Sequence, residues 1–98
     1  MNINDIPEAL CQKLRIKIIS SLVSSSKTFN ELLEITQTTK GNLSVQLMKL
    51  EEWQYLTSDK VIENKKSKST YTLTDYGLNQ FEEYVALLKQ IIEDSAGI

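Results

Sequence analysis

TTKGNLSVQLMKLEEWQYL, residues 38–56, decides how the rest of the chain is read. Leu43, Leu47 and Leu50 recur at spacings of four and three, which predicts a helix from about Lys40 to Glu52 with one apolar face. Its first turn holds Gly41 and Asn42. A glycine inside a helix costs about 1 kcal/mol relative to alanine, so Gly41 calls for a reason.

Upstream, Thr28 and Glu31 have the spacing of a capping box. They predict a short helix from Phe29 to about Ile35, burying Phe29 and Leu32. The polar run 36–39 has turn character, so residues of about 28–52 form a helix-turn-helix. Before it, Asp5, Pro7 and Glu8 mark the start of a first helix. Leu10, Leu14, Ile18 and Leu22 repeat along it every four residues to about Val23, where Ser24-Ser25-Ser26 loosens the chain.

Downstream the texture changes. Tyr55–Thr57, Lys60–Glu63 and Thr70–Leu73 are strand candidates, and residues 64–69 read as a basic, polar hairpin tip. The hairpin region covers about residues 55–74. Thr74 or Asp75 then caps a last helix to about residue 94. Leu78, Phe81, Val85, Leu88 and Ile92 alternate along it at spacings of three and four, with Tyr84, Leu87 and Ile91 beside them. Such a stripe either packs inside its own domain or forms a dimer seam.

Ninety-eight residues suit one domain, spanning 1–98. Cys11 is the only cysteine and histidine is absent, which weakens disulfide, metal-site and acid–base readings. Cys11 falls on the apolar face of the first helix, where a structural role is expected. No cofactor is implied. The chain lacks a long apolar run and a charged signal-like start, so the expectation is a soluble, cytoplasmic protein without a membrane partner.

The net charge of −2 hides an uneven distribution. Residues 60–74 carry Lys60, Lys65, Lys66 and Lys68 against Glu63 alone, whereas the last helix is acidic.

The element order is helix, helix, helix, hairpin, helix: mainly α with a small β-hairpin. It lets the third helix lie in a major groove while the hairpin grips the backbone beside it. Gly41 then allows close approach of phosphate to backbone amides. A tight turn or close helix contact is the alternative. Lys40, Gly41, Asn42, Ser44, Val45, Gln46 and Lys49 are the groove-facing candidates. Val45 suits a thymine methyl and Gln46 an adenine edge. Met48 reads equally as contact or half-buried core. Lys65, Lys66 and Lys68 are phosphate contacts, or else serve solubility. Glu51 and Glu52 must face elsewhere. Arg15 is the only arginine, so arginine-to-guanine pairing is missing from both elements.

The run Thr39-Lys40-Gly41-Asn42-Leu43-Ser44, with Leu47, Leu50-Glu51 and Tyr55, resembles small stand-alone winged-helix transcriptional regulators of the MarR and ArsR types. Thr70-Tyr71-Thr72-Leu73-Thr74-Asp75-Tyr76-Gly77 matches their second wing strand and the start of their last helix. The likeness covers about residues 8–92. It implies a winged helix-turn-helix with a long C-terminal dimerisation helix. It also implies a homodimer on double-stranded operator DNA, with Leu78, Phe81, Val85, Leu88 and Ile92 at the dimer interface. It names no small-molecule effector. The chain departs from the pattern at Gln46, where histidine is usual, and at Trp53-Gln54, where alanine-glycine is usual. Asn64 and Ser67 replace a common glycine and proline in the wing.

Two further functions compete. The same scaffold can act as a protein-interaction module without reading DNA, which the acidic last helix favours. An enzyme is disfavoured, because Ser44, Ser67 and Ser69 have no histidine to activate them.

Overall fold

The computed structural model describes residues 1–96. Two 3₁₀ turns, Ile3–Asp5 and Glu8–Leu10, precede α1 (Lys13–Leu22), β1 (Lys27–Thr28), α2 (Phe29–Thr36) and α3 (Lys40–Glu52). The hairpin β2 (Leu56–Glu63) and β3 (Lys66–Leu73) follows, then α4 (Asp75–Ala96). The sheet has the order β1-β3-β2, all antiparallel. The expected architecture is the one observed, a winged helix-turn-helix with a long last helix. One apolar core joins Ala9 and Leu10 to Ile18, Ile19 and Leu22 of α1, Leu32 of α2, Leu43, Leu47 and Leu50 of α3, and Tyr55 and Leu56.

The first helix starts later than Asp5, Pro7 and Glu8 predict. Asp5 lies in the first 3₁₀ turn, and Gln12, with φ −139° and ψ 135°, is the extended residue from which α1 begins. The turn before the break still places Ala9 and Leu10 in the core, packed with the α1 residues Ile18, Ile19 and Leu22. It also exposes Cys11, whose thiol donates to the Pro7 carbonyl at 3.3 Å; the expected buried structural role is not what is found.

The capping box of α2 forms as read. The Thr28 hydroxyl accepts from Glu31 N, and the Glu31 carboxylate accepts from Thr28 N at 2.9 Å. The Thr28 backbone N–H, and after it the Thr28 side chain, hold the Glu31 carboxyl below its ordinary 4.5.

The hairpin is longer and tighter than the sequence suggests. Lys66 to Ser69, expected in the tip, pair with β2 from Glu63 to Lys60. The turn is Asn64-Lys65 alone, both left-handed (φ 52° and 63°), a two-residue hairpin turn of primed type. The two-residue strand β1 has no sequence signal of its own; it exists because Lys27 and Thr28 meet Tyr71 and Thr70.

The end of α3 and the start of α4 are tied at one point. Tyr55 N donates to Leu50 O and Gln54 N to Glu51 O, a Schellman motif with Gln54 left-handed at φ 65°. This is where the resembling family places glycine. The Tyr55 carbonyl accepts from Thr74 N at 2.9 Å. The Thr74 hydroxyl lies 2.7 Å from the Gln54 carbonyl and caps α4 by accepting from Gly77 N. Gly77 is dictated by contact, since a Cβ there would come 2.5 Å from the Tyr55 carbonyl oxygen. Burial, helped by Tyr76 nearby, pushes the Tyr55 phenol up to about 12, so it stays neutral.

Two outcomes follow. Gly77→Ala is expected to destabilise the chain by about 1–3 kcal/mol through this overpacking, whereas Gln54→Gly relieves a left-handed side chain and stabilises by about 0.5–1 kcal/mol. Urea unfolding midpoints check both. Thr28→Ala is expected to cost about 1 kcal/mol at neutral pH. Because the folded Glu31 pKa is depressed, its contribution is present above 4.5 and is lost as pH falls through the folded value. The gap between Glu31→Ala and the parent should therefore narrow in acid, whereas Thr28→Ala, which keeps the backbone donor to the Glu31 carboxylate, should change less; the same titrations at stepped pH measure both.

Candidate nucleic-acid interface

The α3 helix begins at Thr39, whose hydroxyl accepts from Asn42 N at 3.1 Å. Asn42 Nδ2 donates to the Thr38 hydroxyl at 3.0 Å, so the turn before α3 is cross-braced by side chains. This uses the third amide of the helix and leaves the Lys40 and Gly41 amides without an intrahelical acceptor.

Lys40, Gly41, Asn42, Ser44, Val45, Met48 and Lys49 are all exposed on one side of α3. Met48, 59% exposed, joins this face rather than the core. A Cβ on Gly41 would meet nothing within 4 Å, and Gly41 has no positive φ. Neither a tight turn nor a helix contact inside the chain accounts for it.

Gln46 does not belong to that face. It is only 6% exposed, and its Oε1 accepts from Arg15 Nη1 at 3.0 Å. Gln46 lies three residues after Leu43 and four before Leu50, so it falls on the buried stripe rather than its border. Its partner Arg15 is a buried cation within α1. Arg15 Nη2 donates to the Glu8 carbonyl at 3.0 Å and contacts the Glu8 carboxylate at 3.2 Å. The guanidinium also stacks over Trp53, 5.3 Å from the ring centroid. This clamp joins the N-terminal segment and α1 to the middle and the C-terminal end of α3, and it fixes which way α3 presents its outer face. The sequence offered one clue, a lone arginine inside an otherwise apolar stripe. Trp53, unplaced by the sequence, is the lid of this clamp.

Glu51 and Glu52 are both exposed on α3, and the Glu51 carboxylate is turned to the hairpin, where it accepts from the Ser58 hydroxyl of β2.

The hairpin lysines separate by position. Strand alternation puts Lys66 and Lys68 on one face and Lys60 on the other, with Lys65 in the turn. Lys68 pairs with Glu63 at 3.4 Å, with both side chains exposed. Such a pair is worth about 0–1 kcal/mol and yields readily to a stronger anion. Lys65 and Lys66 form no ion pair among the described residues.

The last helix divides the expected dimer stripe. Phe81 and Tyr84 pack against the core, and Leu78 is half-buried, so the first turns of the stripe already serve their own domain. Val85, Leu88, Ile91 and Ile92 are exposed. The molecule spans 60 Å in its longest dimension, with a radius of gyration of 15.3 Å. A compact chain of this length has about 13 Å, so the distal half of α4 and the hairpin stand out from the body.

No helix among the described residues is long and apolar enough to cross a membrane. Nor does any group of three or more His, Cys, Asp or Glu among them lie close enough to hold a metal.

Because the added methyl has free space, Gly41→Ala is expected to raise stability by up to about 1 kcal/mol. Thermal and urea denaturation test this; a loss of stability would show that the glycine serves internal packing after all.

Residues 14–92 match the winged helix DNA-binding domain family. No protein of curated function is significantly similar in sequence. In fold the chain is similar to M. tuberculosis Rv0081, with a TM-score of 0.78, 21% identity and coverage of 90% of this chain and 86% of that one. Diamide-treated YodB from B. subtilis has a TM-score of 0.70 at 27% identity, covering 83% of each chain. Bacillus subtilis PadR, solved in complex with operator DNA, has a TM-score of 0.70 at 19% identity, over 76% of this chain and 47% of that one. The chain thus belongs to the winged helix DNA-binding domain family.

Proposed function

We propose that the protein is a sequence-specific regulator that binds double-stranded operator DNA as a homodimer. The observation that carries this is the outer face of α3, where a glycine free of internal contacts opens a helix flanked by Lys40 and Lys49. In this reading the Lys40 and Gly41 amides meet a phosphate. Asn42 and Ser44 offer hydrogen bonds to base edges or backbone, and Val45 and Met48 offer apolar contact to thymine methyls. Lys65, Lys66 and, after release from Glu63, Lys68 take phosphates beside the groove. The fold likeness to PadR, which was solved with operator DNA, supports the same docking.

The only arginine is committed to the internal clamp, so guanine reading by arginine is closed to this surface. Discrimination then rests on thymine methyls, amide contacts and DNA shape, which favours A·T-rich half-sites. Val85, Leu88 and Ile92 are the dimer contacts of this reading. Symmetry sets half-sites about 34–36 Å apart, one helical turn, or a multiple of it.

A second reading, a protein-interaction module, draws on the net charge of −2 and the acidic last helix. Salt dependence separates the two. Fluorescence anisotropy against duplexes from the upstream region should show selective binding that weakens steeply with salt. Lys65→Ala with Lys66→Ala removes four phosphate contacts from the dimer and should flatten the log–log slope by about 3.6. Leu88→Glu should turn a sedimenting dimer into a monomer and weaken operator binding. Gly41→Ala should weaken binding despite its higher stability. Absence of salt-dependent duplex binding in the parent would leave the interaction module as the reading.

A further inference from the structure

We propose that Ile62 is an apolar wedge that the hairpin drives into the minor groove, beside the major groove taken by α3. The inference rests on the DNA-binding reading above and adds to it a residue with no charge and no hydrogen bond to offer.

Ile62 is 80% exposed, more than any other large hydrophobic side chain among the described residues. It stands two residues before the Asn64-Lys65 turn, at the end of the hairpin farthest from the core. By strand alternation it shares a face with Leu56, Ser58 and Lys60. Ser58 on that face hydrogen-bonds to Glu51 of α3, so Ile62 overhangs the side of the hairpin turned toward α3. Strand formation alone does not require isoleucine here; threonine has comparable β preference without an apolar surface left in water.

Two occupants can cover such a residue. β2 is an edge strand, open to pairing with the β2 of a second copy. That pairing sets two hairpins of net charge +2 side by side, Lys60, Lys65, Lys66 and Lys68 outnumbering Asp59 and Glu63 in residues 56–69 of each. Like charges oppose it. A polyanion meets the same cluster favourably, and a groove about 6 Å wide admits a branched aliphatic side chain between its phosphate walls. Lysines flank Ile62 on both sides along the hairpin and can hold those walls. Apolar wedges of this kind part a base step and kink the duplex. Pyrimidine–purine steps yield most easily and are the expected target.

The test compares parent, Ile62→Ser and Ile62→Leu with the Lys65→Ala/Lys66→Ala variant. The probes are duplexes from the upstream region, carrying donor and acceptor dyes at their ends. Ile62 is solvent-facing, so the variants should fold, and far-UV circular dichroism verifies it. Ile62→Ser should bind about tenfold more weakly, lose the bending-induced rise in energy transfer, and keep the parental salt slope. Ile62→Leu should retain both affinity and bend. The lysine variant should show the opposite signature, a flatter salt slope. Parental affinity and bending in Ile62→Ser would overturn the wedge while leaving the DNA-binding reading intact. A parent that binds no duplex at low salt would overturn both.

Discussion

The Tyr55 carbonyl is the constraint on which the rest of the molecule depends. It closes the exit from α3, accepts the Thr74 amide, and lies so near Gly77 that no larger residue fits without a shift. The helix that exposes Lys40, Gly41, Asn42, Ser44, Val45 and Lys49 and the helix that protrudes from the domain are thereby joined within a few ångströms, although 22 residues separate Glu52 from Asp75 in the chain. The hairpin is threaded through the same knot, because its first and last residues, Leu56 and Leu73, flank it as a pair. Recognition helix, wing and α4 thus share one anchor.

The Arg15 clamp fixes what the anchor leaves free, the rotation of α3 about its own axis. If Gln46 turned outward, it would leave a buried guanidinium short of an acceptor. That penalty is about 1–3 kcal/mol, enough to hold the helix in one orientation. The chain spends its only arginine inside, and the outer face works with lysine, amide, hydroxyl and aliphatic groups. A surface of this kind gains affinity from phosphate contacts and discrimination from shape, since lysine is a point charge without the planar fork that guanine rewards.

Much of this was legible. The leucine spacing and the capping threonines set α2 and α3, because local hydrogen bonds and one-sided burial act within a few residues. The last helix was legible for the same reason. What escaped depended on distant partners. Ser67, Lys68 and Ser69 are poor strand formers, and they pair only because β2 lies beside them and Asn64-Lys65 tolerates a left-handed turn. Asp5 and Glu8 have the spacing of a cap, yet the helix waits until Lys13, because Gln12 is extended and Arg15 takes the Glu8 carbonyl that a continuous helix would offer to the Gln12 amide. Gln46 was misplaced outward because its polarity outweighed its position. The position was correct, and the partner 31 residues away explains the polarity.

The anchor also constrains how such a molecule can be regulated. A single residue, Thr74, separates β3 from α4, and it is fully engaged in hydrogen bonds, so no loop absorbs motion between wing and last helix. The distal half of α4, by contrast, carries Val85, Leu88 and Ile92 free of its own core. In a dimer joined through that half, the domain is a rigid arm on a helix of about 33 Å. A tilt of about 5° at the seam displaces α3 by about 3 Å, on the scale of one base-pair step. Under the proposed function, control of DNA binding therefore need not disturb the exposed face of α3 at all. It need only alter the packing of a few aliphatic side chains at the far end of α4, and the stiffness of the Tyr55 junction carries the change to the groove.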